Sequence, residues 1–576
     1  MLRCFLLACF LALISARPSW GQAIPPAPGP SSPHLESVLT SPVTSSSHNP
    51  SVGASEPHAD AHRLAQANQQ YLRGEFEAAI QSYRSILEQH PQTPEAYAGL
   101  TRVCLKQEDV QKAYEVATMG VRLTDGPTAH TALGEVYFRQ GKLLGAEQEW
   151  LNVINKGEPI ARAYWGLSRV RTAQSLNKQA QEMLDKAREL DGTDLDIAKS
   201  WINSQSGAEQ IRFWSHYLAS PNNEDAETRV GLQHRLDFLK ATQNQPPHSC
   251  RLVSPVQATE MKLLPLQGDG HLRGYGLGVS LNGTEGNMLL DTGTHGIVIG
   301  RKLAGKAGIL KVSETNFVGG GDGSSSGGYQ GFAKSITIGG LEYQDCRVEV
   351  TDQDSALVEE GVIGMDVFGA FLLDIDFPAQ QLSLQPLPQR PSDNTGKLAL
   401  QTSGEEWKLD DDPASGKADP GPQEKSSPPI AHEPRDRYIA PEMVNYTPIY
   451  HFGHLMLIPT KVGDESQNLF VLDTGSSMSP LSLTTAKGIV NFLVPSSVGI
   501  RGMSGSVANV FDVGDVTLQI GNLKEENKQA FAFDLSHLSN EVGTEVSGIL
   551  GINLLRQLAV RIDYRDGLVD FRQKQQ

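Results

Sequence analysis

Asp-Thr-Gly occurs twice in this 576-residue chain, each time in the same setting. Met288-Leu289-Leu290-Asp291-Thr292-Gly293-Thr294 is matched 182 residues later by Phe470-Val471-Leu472-Asp473-Thr474-Gly475-Ser476. Val362-Ile363-Gly364 is matched by Ile549-Leu550-Gly551, and Asp376-Phe377 by Asp563-Tyr564, both at 187 residues. Three anchors in one order, with the extra length between the first and second where loops are expected, describe one fold used twice. Both copies are short β-branched and apolar runs broken by Gly, Asn and Asp, a texture of short strands and tight turns. Two all-β units are therefore predicted, at 260–386 and 442–574. Between them, 387–441 is dense in Pro, Asp, Glu, Lys and Ser, with Asp410-Asp411-Asp412 at its centre, and reads as a flexible linker.

A second period lies upstream. Ala79, Ala113, Ala146 and Ala180 recur at intervals of 34, 33 and 34 residues. Leu100, Leu133 and Leu167 keep that register, each followed by a short residue (Thr101, Gly134, Ser168), and so do Tyr83, Ala117, Trp150 and Leu184. A helical solenoid with two helices per unit needs small residues where helices touch and aromatics packed between units. These residues resemble tetratricopeptide (TPR) repeats. Gly74-Glu75-Phe76 with Ala79 and Tyr83 is a close match, whereas Glu108 and Ser175 stand where a turn glycine is usual. Four TPR-like repeats are predicted over 60–193. A helical cap is predicted over 194–246, with Trp201, Ile211, Trp214, Tyr217, Val230, Leu232, Leu236 and Leu239 as its apolar faces. The resemblance implies a protein or peptide partner on the concave face; a spacer that positions the β units fits the same residues.

The N-terminus combines Arg3, an apolar run from Cys4 to Ile14, and small or polar residues ending in Gly21-Gln22-Ala23. That pattern predicts a signal peptide over 1–23, cut after Ala16 or Ala23, and hence a periplasmic or secreted protein. The Pro/Ser-rich stretch 24–59 is expected to be a disordered tether. No later run approaches about 20 apolar residues, so no integral membrane segment is expected after signal removal. A net charge of −17, with no basic stripe, excludes nucleic acid as a partner. Cys104, Cys250 and Cys346 are widely spaced and odd in number, which implies neither a disulfide framework nor a metal cluster. His451-Phe452-Gly453-His454 offers two imidazoles without further ligands, and no nucleophile elbow or Cys/His signature is present. No metal and no cofactor are expected.

The paired triplets and their anchors resemble the retropepsin-like aspartic proteases, over roughly 265–386 and 443–573. The resemblance implies a multidomain chain, an all-α TPR-like solenoid followed by two all-β retropepsin-like acid-protease barrels, with one site where the two lobes meet. In that family the apolar-apolar-Gly string packs under the active loop and precedes a short helix, here Met365 to Phe371 and Ile552 to Gln557. Asp376 and Asp563 on the following strand read as structural.

The chemistry follows from the residue types. Two carboxylates held close cannot both ionise cheaply, so Asp291 and Asp473 are expected to share a proton and act together as general base and general acid on a water. Thr292 and Thr474 can cross-link the loops, Gly293 and Gly475 let the backbones approach, and Thr294 and Ser476 can orient the carboxylates. A flap over an extended peptide is expected around Gly320, Gly321 and Tyr329 in the first unit and Gly502 and Met503 in the second, though ordinary hairpin tips would look the same. His295 replaces the small or hydroxyl residue usual in the family. The expected activity is an aspartic endopeptidase acting on a protein or peptide substrate. Two alternatives remain open: a peptide-binding scaffold without turnover, and a protease active only when units pair between chains.

Overall fold

The computed structural model describes residues 5–6, 11–13, 57–244, 250–268, 271–319, 325–352, 360–391, 434–463, 468–497, 499–501, 506–507 and 509–573. Most of the expected signal peptide and tether, residues 392–433 of the linker, and the flap candidates Gly320, Gly321, Gly502 and Met503 lie outside the described residues. The chain divides into two compact units. One comprises the described residues up to Val136 from the first helix, with Pro221–Glu224; the other comprises residues 5–6 and 11–13, Tyr137–Ser220 and the described residues from Asp225 on.

The smaller unit is built from helix pairs, Pro57–Leu72 with Phe76–Gln89 and Pro94–Lys106 with Val110–Thr124. Ala79 and Ala113 are fully buried, so neighbouring helices meet at the small residues of the repeat. Tyr83 lies flat against Gly99, where a Cβ would stand 2.3 Å from its ring, so the aromatic position of one helix requires a glycine on the next. Glu108 turns the second pair with φ of 65°, a left-handed conformation that costs a side-chain residue about 1 kcal/mol. The glycine at this place in the first pair is thus a preference, and the turn forms without it.

In the larger unit the pattern continues. Leu143–Asn155 packs Trp150 onto Gly166 of Ala161–Ala173, and Ser175, with φ of 58°, turns the chain into Asn177–Leu190. Leu195–Ile202, Gly207–Ala219 and Ala226–Thr242 follow, the second opened by a Ser206–Glu209 capping box. These helices share a core with strands. Phe138, Leu143, Trp150, Val153 and Leu167 cluster with Leu455, Leu469, Val471, Phe531, Phe533 and Val546. At the edge of this core Thr544 Oγ1 donates to the Phe138 carbonyl at 2.6 Å, and Asp436 accepts from the backbone N and Nε2 of Gln179 at 3.1 and 3.0 Å. Phe238 of the last helix meets Phe332, with ring centroids 6.1 Å apart.

Each Asp-Thr-Gly loop follows a strand, Thr284–Asp291 or Asn468–Leu472. Each of these strands pairs in parallel with the apolar-apolar-Gly strand of its own unit, through Ile363↔Leu290 in one and Leu550↔Leu472 in the other. The short helices that follow are single turns, Met365–Phe368 and Ile552–Leu555. One core runs through both β units, with Tyr275, Leu277, Leu290 and Ile363 packed together with Met456, Ile458, Phe470 and Leu472. Phe371–Asp376 also pairs antiparallel with Leu558–Asp563 in a six-stranded sheet drawn from both units. In this sheet Asp376 caps a turn by accepting from Ala379 N at 2.9 Å, and Asp563 accepts from Asp566 N at 2.9 Å.

Buried Asp566 ties down both ends of the linker, accepting from Arg390 on one side and from Tyr438 N at 2.9 Å on the other, while Arg437 Nε donates to the Asp566 carbonyl at 2.7 Å. Phe5–Leu6 and Leu11–Leu13 form short strands beside Val318–Gly319 and Gly499–Arg501.

The cysteine reading is corrected. Cys250 and Cys346 form a disulfide with Cα atoms 4.0 Å apart, and Cys104 is free and buried. Spacing could not reveal the bridge because strand register makes it. Arg251–Leu252 pairs with Gln344 and Tyr343, which carries Cys250 to the neighbourhood of Cys346 across 96 residues of sequence. Among the described residues no helix is long and apolar enough to cross a membrane, and no group of three or more His, Cys, Asp and Glu could hold a metal ion.

Candidate active site

The two Asp-Thr-Gly loops lie against each other within the one chain. Thr292 N donates to Thr474 Oγ1 at 3.1 Å, and Thr474 N donates to Thr292 Oγ1 at 3.0 Å. Each hydroxyl passes its own proton on, Thr292 Oγ1 to the Leu472 carbonyl at 2.6 Å and Thr474 Oγ1 to the Leu290 carbonyl at 2.8 Å. Four buried hydrogen bonds thus fix the separation of the loops. Gly475 lies so close to the other loop that a Cβ there would stand 2.5 Å from Asp291 Cγ; any side chain would drive the carboxyl groups apart.

Asp291 and Asp473 are fully buried side by side. Gly293 N donates to Asp291 Oδ1 and Thr294 Oγ1 to Asp291 Oδ2, both at 2.7 Å. On Asp473, the N–H groups of Gly475 and Ser476 donate to Oδ1 at 2.9 and 3.0 Å, whereas buried Oδ2 meets no donor among the described residues apart from the facing carboxyl group. Burial raises the pKa of both acids. For Asp291 the hydrogen bonds from Thr294 and Gly293 offset part of the rise, and for Asp473 repulsion from Asp291 adds to it. The arrangement favours a single proton on the pair. Ser476 departs from expectation: its backbone N–H orients Asp473, while its hydroxyl donates to the Met478 carbonyl at 2.8 Å.

The supports beneath the loops differ. Under the first loop, His295 Nδ1 lies 2.9 Å from Asp366 Oδ2, and Gly296 N donates to Asp366 Oδ1 at 2.9 Å. Burial pushes Asp366 up, but the His295 charge and these hydrogen bonds outweigh it and hold the carboxyl below the usual range. His454 lies 3.0 Å from the Gly293 carbonyl through Nε2, and its ring centroid is 5.6 Å from that of His295. Burial lowers the pKa of His454 to about 4; the ring is neutral, and a carbonyl can only accept, so Nε2 carries the proton. Under the second loop the network is uncharged. Ser479 Oγ donates to Asn553 Oδ1 at 2.5 Å and accepts from Gly551 N at 2.9 Å, and Asn527 Nδ2 donates to the Ser479 carbonyl at 2.8 Å.

Sequence reasoning missed Asp366, Asn553 and His454. A signal existed for the first two, since each is a polar residue two positions after its glycine, Gly364 or Gly551. In the sequence His454 stands out only as one of two imidazoles without further metal ligands. Of the flap candidates, Tyr329 is half-buried on the hairpin strand Ser325–Ile338; its hydroxyl donates to the Ile309 carbonyl at 3.4 Å, and Arg301 lies over its ring at 5.7 Å. The second unit has a matching hairpin, with Ile500 opposite Val507.

No curated protein matches the chain. Among solved structures, a thermophilic TPR protein from Thermus thermophilus is similar at 21% identity, over 31% of this chain and 98% of its own, with a TM-score of 0.25. Residues 277–367, from the strand His271–Leu281 to the turn after Gly364, match the aspartyl protease family. The stretch of this chain that is similar to aspartyl proteases thus contains the first of its two Asp-Thr-Gly loops.

Proposed function

We propose that the chain is an aspartic endopeptidase in which Asp291 and Asp473 together activate a water for peptide-bond hydrolysis, its two β units being a pair of retropepsin-like barrels. The observation that carries this reading is the pair of buried carboxyl groups held at one place by the reciprocal Thr292–Thr474 bonds. Ionised Asp291, fixed by Gly293 N and Thr294 Oγ1, takes a proton from the water; neutral Asp473 donates its proton to the substrate carbonyl oxygen as the tetrahedral intermediate forms. Collapse of that intermediate returns a proton to the leaving amine. A binding groove without turnover has no use for two carboxyl groups buried at the expense of their ionisation. The paired strands Ser313–Gly319 and Ser325–Ile338, and Gly499–Arg501 and Ser506–Val507, serve as the stems of flaps over an extended peptide, and the helical repeats bind a protein partner or substrate. Export to an oxidising periplasmic or secreted setting agrees with the Cys250–Cys346 disulfide.

The test is cleavage of a broad peptide library by the purified monomeric chain, with and without pepstatin, beside Asp291→Asn and Asp473→Asn. Loss of cleavage in both variants is the expected result. Turnover surviving in either variant would overturn the shared dyad, and a wild type that cleaves nothing would leave the binding scaffold.

A further inference from the structure

Arg273 is 8% exposed, and its Nε and Nη1 are buried without a hydrogen-bond partner among the described residues. A buried cation is retained at high cost unless an anion meets it, so an unsatisfied guanidinium in a well-packed strand asks what it is for. Its position supplies the answer. On the strand His271–Leu281, Gly276 stands opposite Leu289, two residues before Asp291; on Leu455–Val462, Leu457 stands opposite Val471, two residues before Asp473. Three residues before Gly276 is Arg273, and three before Leu457 is His454, so the two occupy the same place in the duplicated fold.

His454 uses that place to reach the Gly293 carbonyl of the opposite active loop and to face His295, four residues after Asp291. The residue four after Asp473 is Ser477, which carries no charge to answer a guanidinium. The next residue along from Arg273, Gly274, lies against that second loop, where its Cβ would stand 3.4 Å from the Thr474 carbonyl. Gly268 on the neighbouring strand leaves the room that the guanidinium occupies: a Cβ there would be 2.0 Å from Arg273 Nε. One of the two equivalent places in the duplicated fold is therefore closed by a neutral imidazole already bonded to a loop, and the other, next to Gly274 against the second loop, holds a cation whose Nε and Nη1 meet no acceptor among the described residues.

We propose that Arg273 is a specificity-determining residue that receives an acidic side chain of the bound peptide at one subsite beside the second active loop. The inference rests on the peptide-cleft reading above. An incoming Asp or Glu supplies the missing acceptors in a bidentate pair, and a neutral residue leaves the guanidinium buried and unpaired. Discrimination comes from that unpaired state as much as from the bond formed.

The experiment profiles cleavage of a position-scanned peptide library by wild type, Arg273→Gln and Arg273→Glu, after thermal melts show that each variant folds. A parallel arm measures binding of acidic and neutral peptides from that library to the Asp291→Asn/Asp473→Asn chain with and without the Arg273 changes. Wild type is expected to prefer Asp or Glu at one subsite. Arg273→Gln should lower the acidic-to-neutral ratio by about tenfold or more, and Arg273→Glu should turn the preference towards Lys or Arg. Should Arg273→Gln not fold, Arg273→Lys stands in, with a reduced acidic preference expected. An unchanged ratio in folded variants, in either arm, overturns the proposal. If no peptide is cleaved, the endopeptidase reading fails by itself and the binding arm still decides Arg273.

Discussion

Thr292 and Thr474 each accept a hydrogen bond from the other's backbone N–H, at 3.0 and 3.1 Å, and each returns its hydroxyl proton to the strand that carries its partner. Replacing either by valine keeps the shape and leaves a buried N–H and a buried carbonyl unsatisfied, at about 1–3 kcal/mol. Thr292→Val and Thr474→Val should each lower the melting temperature and reduce kcat more than they raise KM, while the serine variants retain most activity. Equal kcat values for valine and serine variants would show that the cross-link is dispensable.

The dyad makes both rate and stability depend on pH. The proposed hydrolysis needs one proton on the pair, so kcat should be bell-shaped, with both limbs displaced to higher pH than ordinary carboxylates would give. For stability, a carboxyl pKa raised by folding means that the native state binds more protons than the unfolded chain, so stability is greatest in acid and declines as pH rises through the folded values. Asn does not titrate. Asp473→Asn should therefore abolish turnover yet melt higher than wild type at pH 7, with the gain vanishing near pH 4. Calorimetry at the two pH values reads the difference directly.

Asp366 has the opposite sign. Its pKa is lowered, so its contribution with His295 is present above the usual carboxylate range and is lost as pH falls through the folded value. Asp366→Asn should be less stable than wild type at pH 6 and nearly equal to it in strong acid. A constant gap between the two melting curves across that range would mean that the pair contributes no charge interaction.

The Cys250–Cys346 bond closes a loop of 96 residues, which in the chain-entropy account stabilises by about 4–5 kcal/mol. Wild type should melt markedly lower in reductant, and Cys250→Ser/Cys346→Ser should melt at that lower temperature in either condition. Reductant sensitivity persisting in the double variant would count against this bond as its source.

Trp150 is fully buried in the core that Phe138 and Leu167 share with Leu469 and Phe533. Trp150→Ala should cost about 3–5 kcal/mol and lower the melting of strands and helices together. A chain starting at residue 247 should be less stable than the full protein and lose activity with it. Unaltered melting of the strands in that shortened chain would refute the shared core.

The helical period was readable because Ala79, Ala113 and Ala146 repeat a packing demand that each helix pair meets alone; Glu108 and Ser175 show that a turn tolerates loss of its glycine while the alanines remain. The contact between the Thr292 and Thr474 loops could be named from residue type. Whether the partner loop belonged to the same chain could not, since that depends on the register of Phe371–Asp376 against Leu558–Asp563, far from either triplet. The disulfide, the His454 bond to the Gly293 carbonyl and the Asp366 ion pair were hidden for the same reason, because each joins residues brought together by strand pairing and not by spacing. The sharing of a core between Trp150 and Phe533 lies deeper still: an amphipathic helix shows that it buries a face, not against what.

Both ends of the linker are fastened at Asp566, through Arg390 on one side and Tyr438 on the other, and the two lobes are stitched by the ladder from Leu372↔Asp563 to Asp376↔Ala559. A backbone cut between 392 and 433 breaks none of these bonds. The halves of this molecule could therefore be encoded as two separate polypeptides and still meet along that ladder, so the fused gene supplies equal amounts of both lobes at high effective concentration, while the seam itself supplies the attraction.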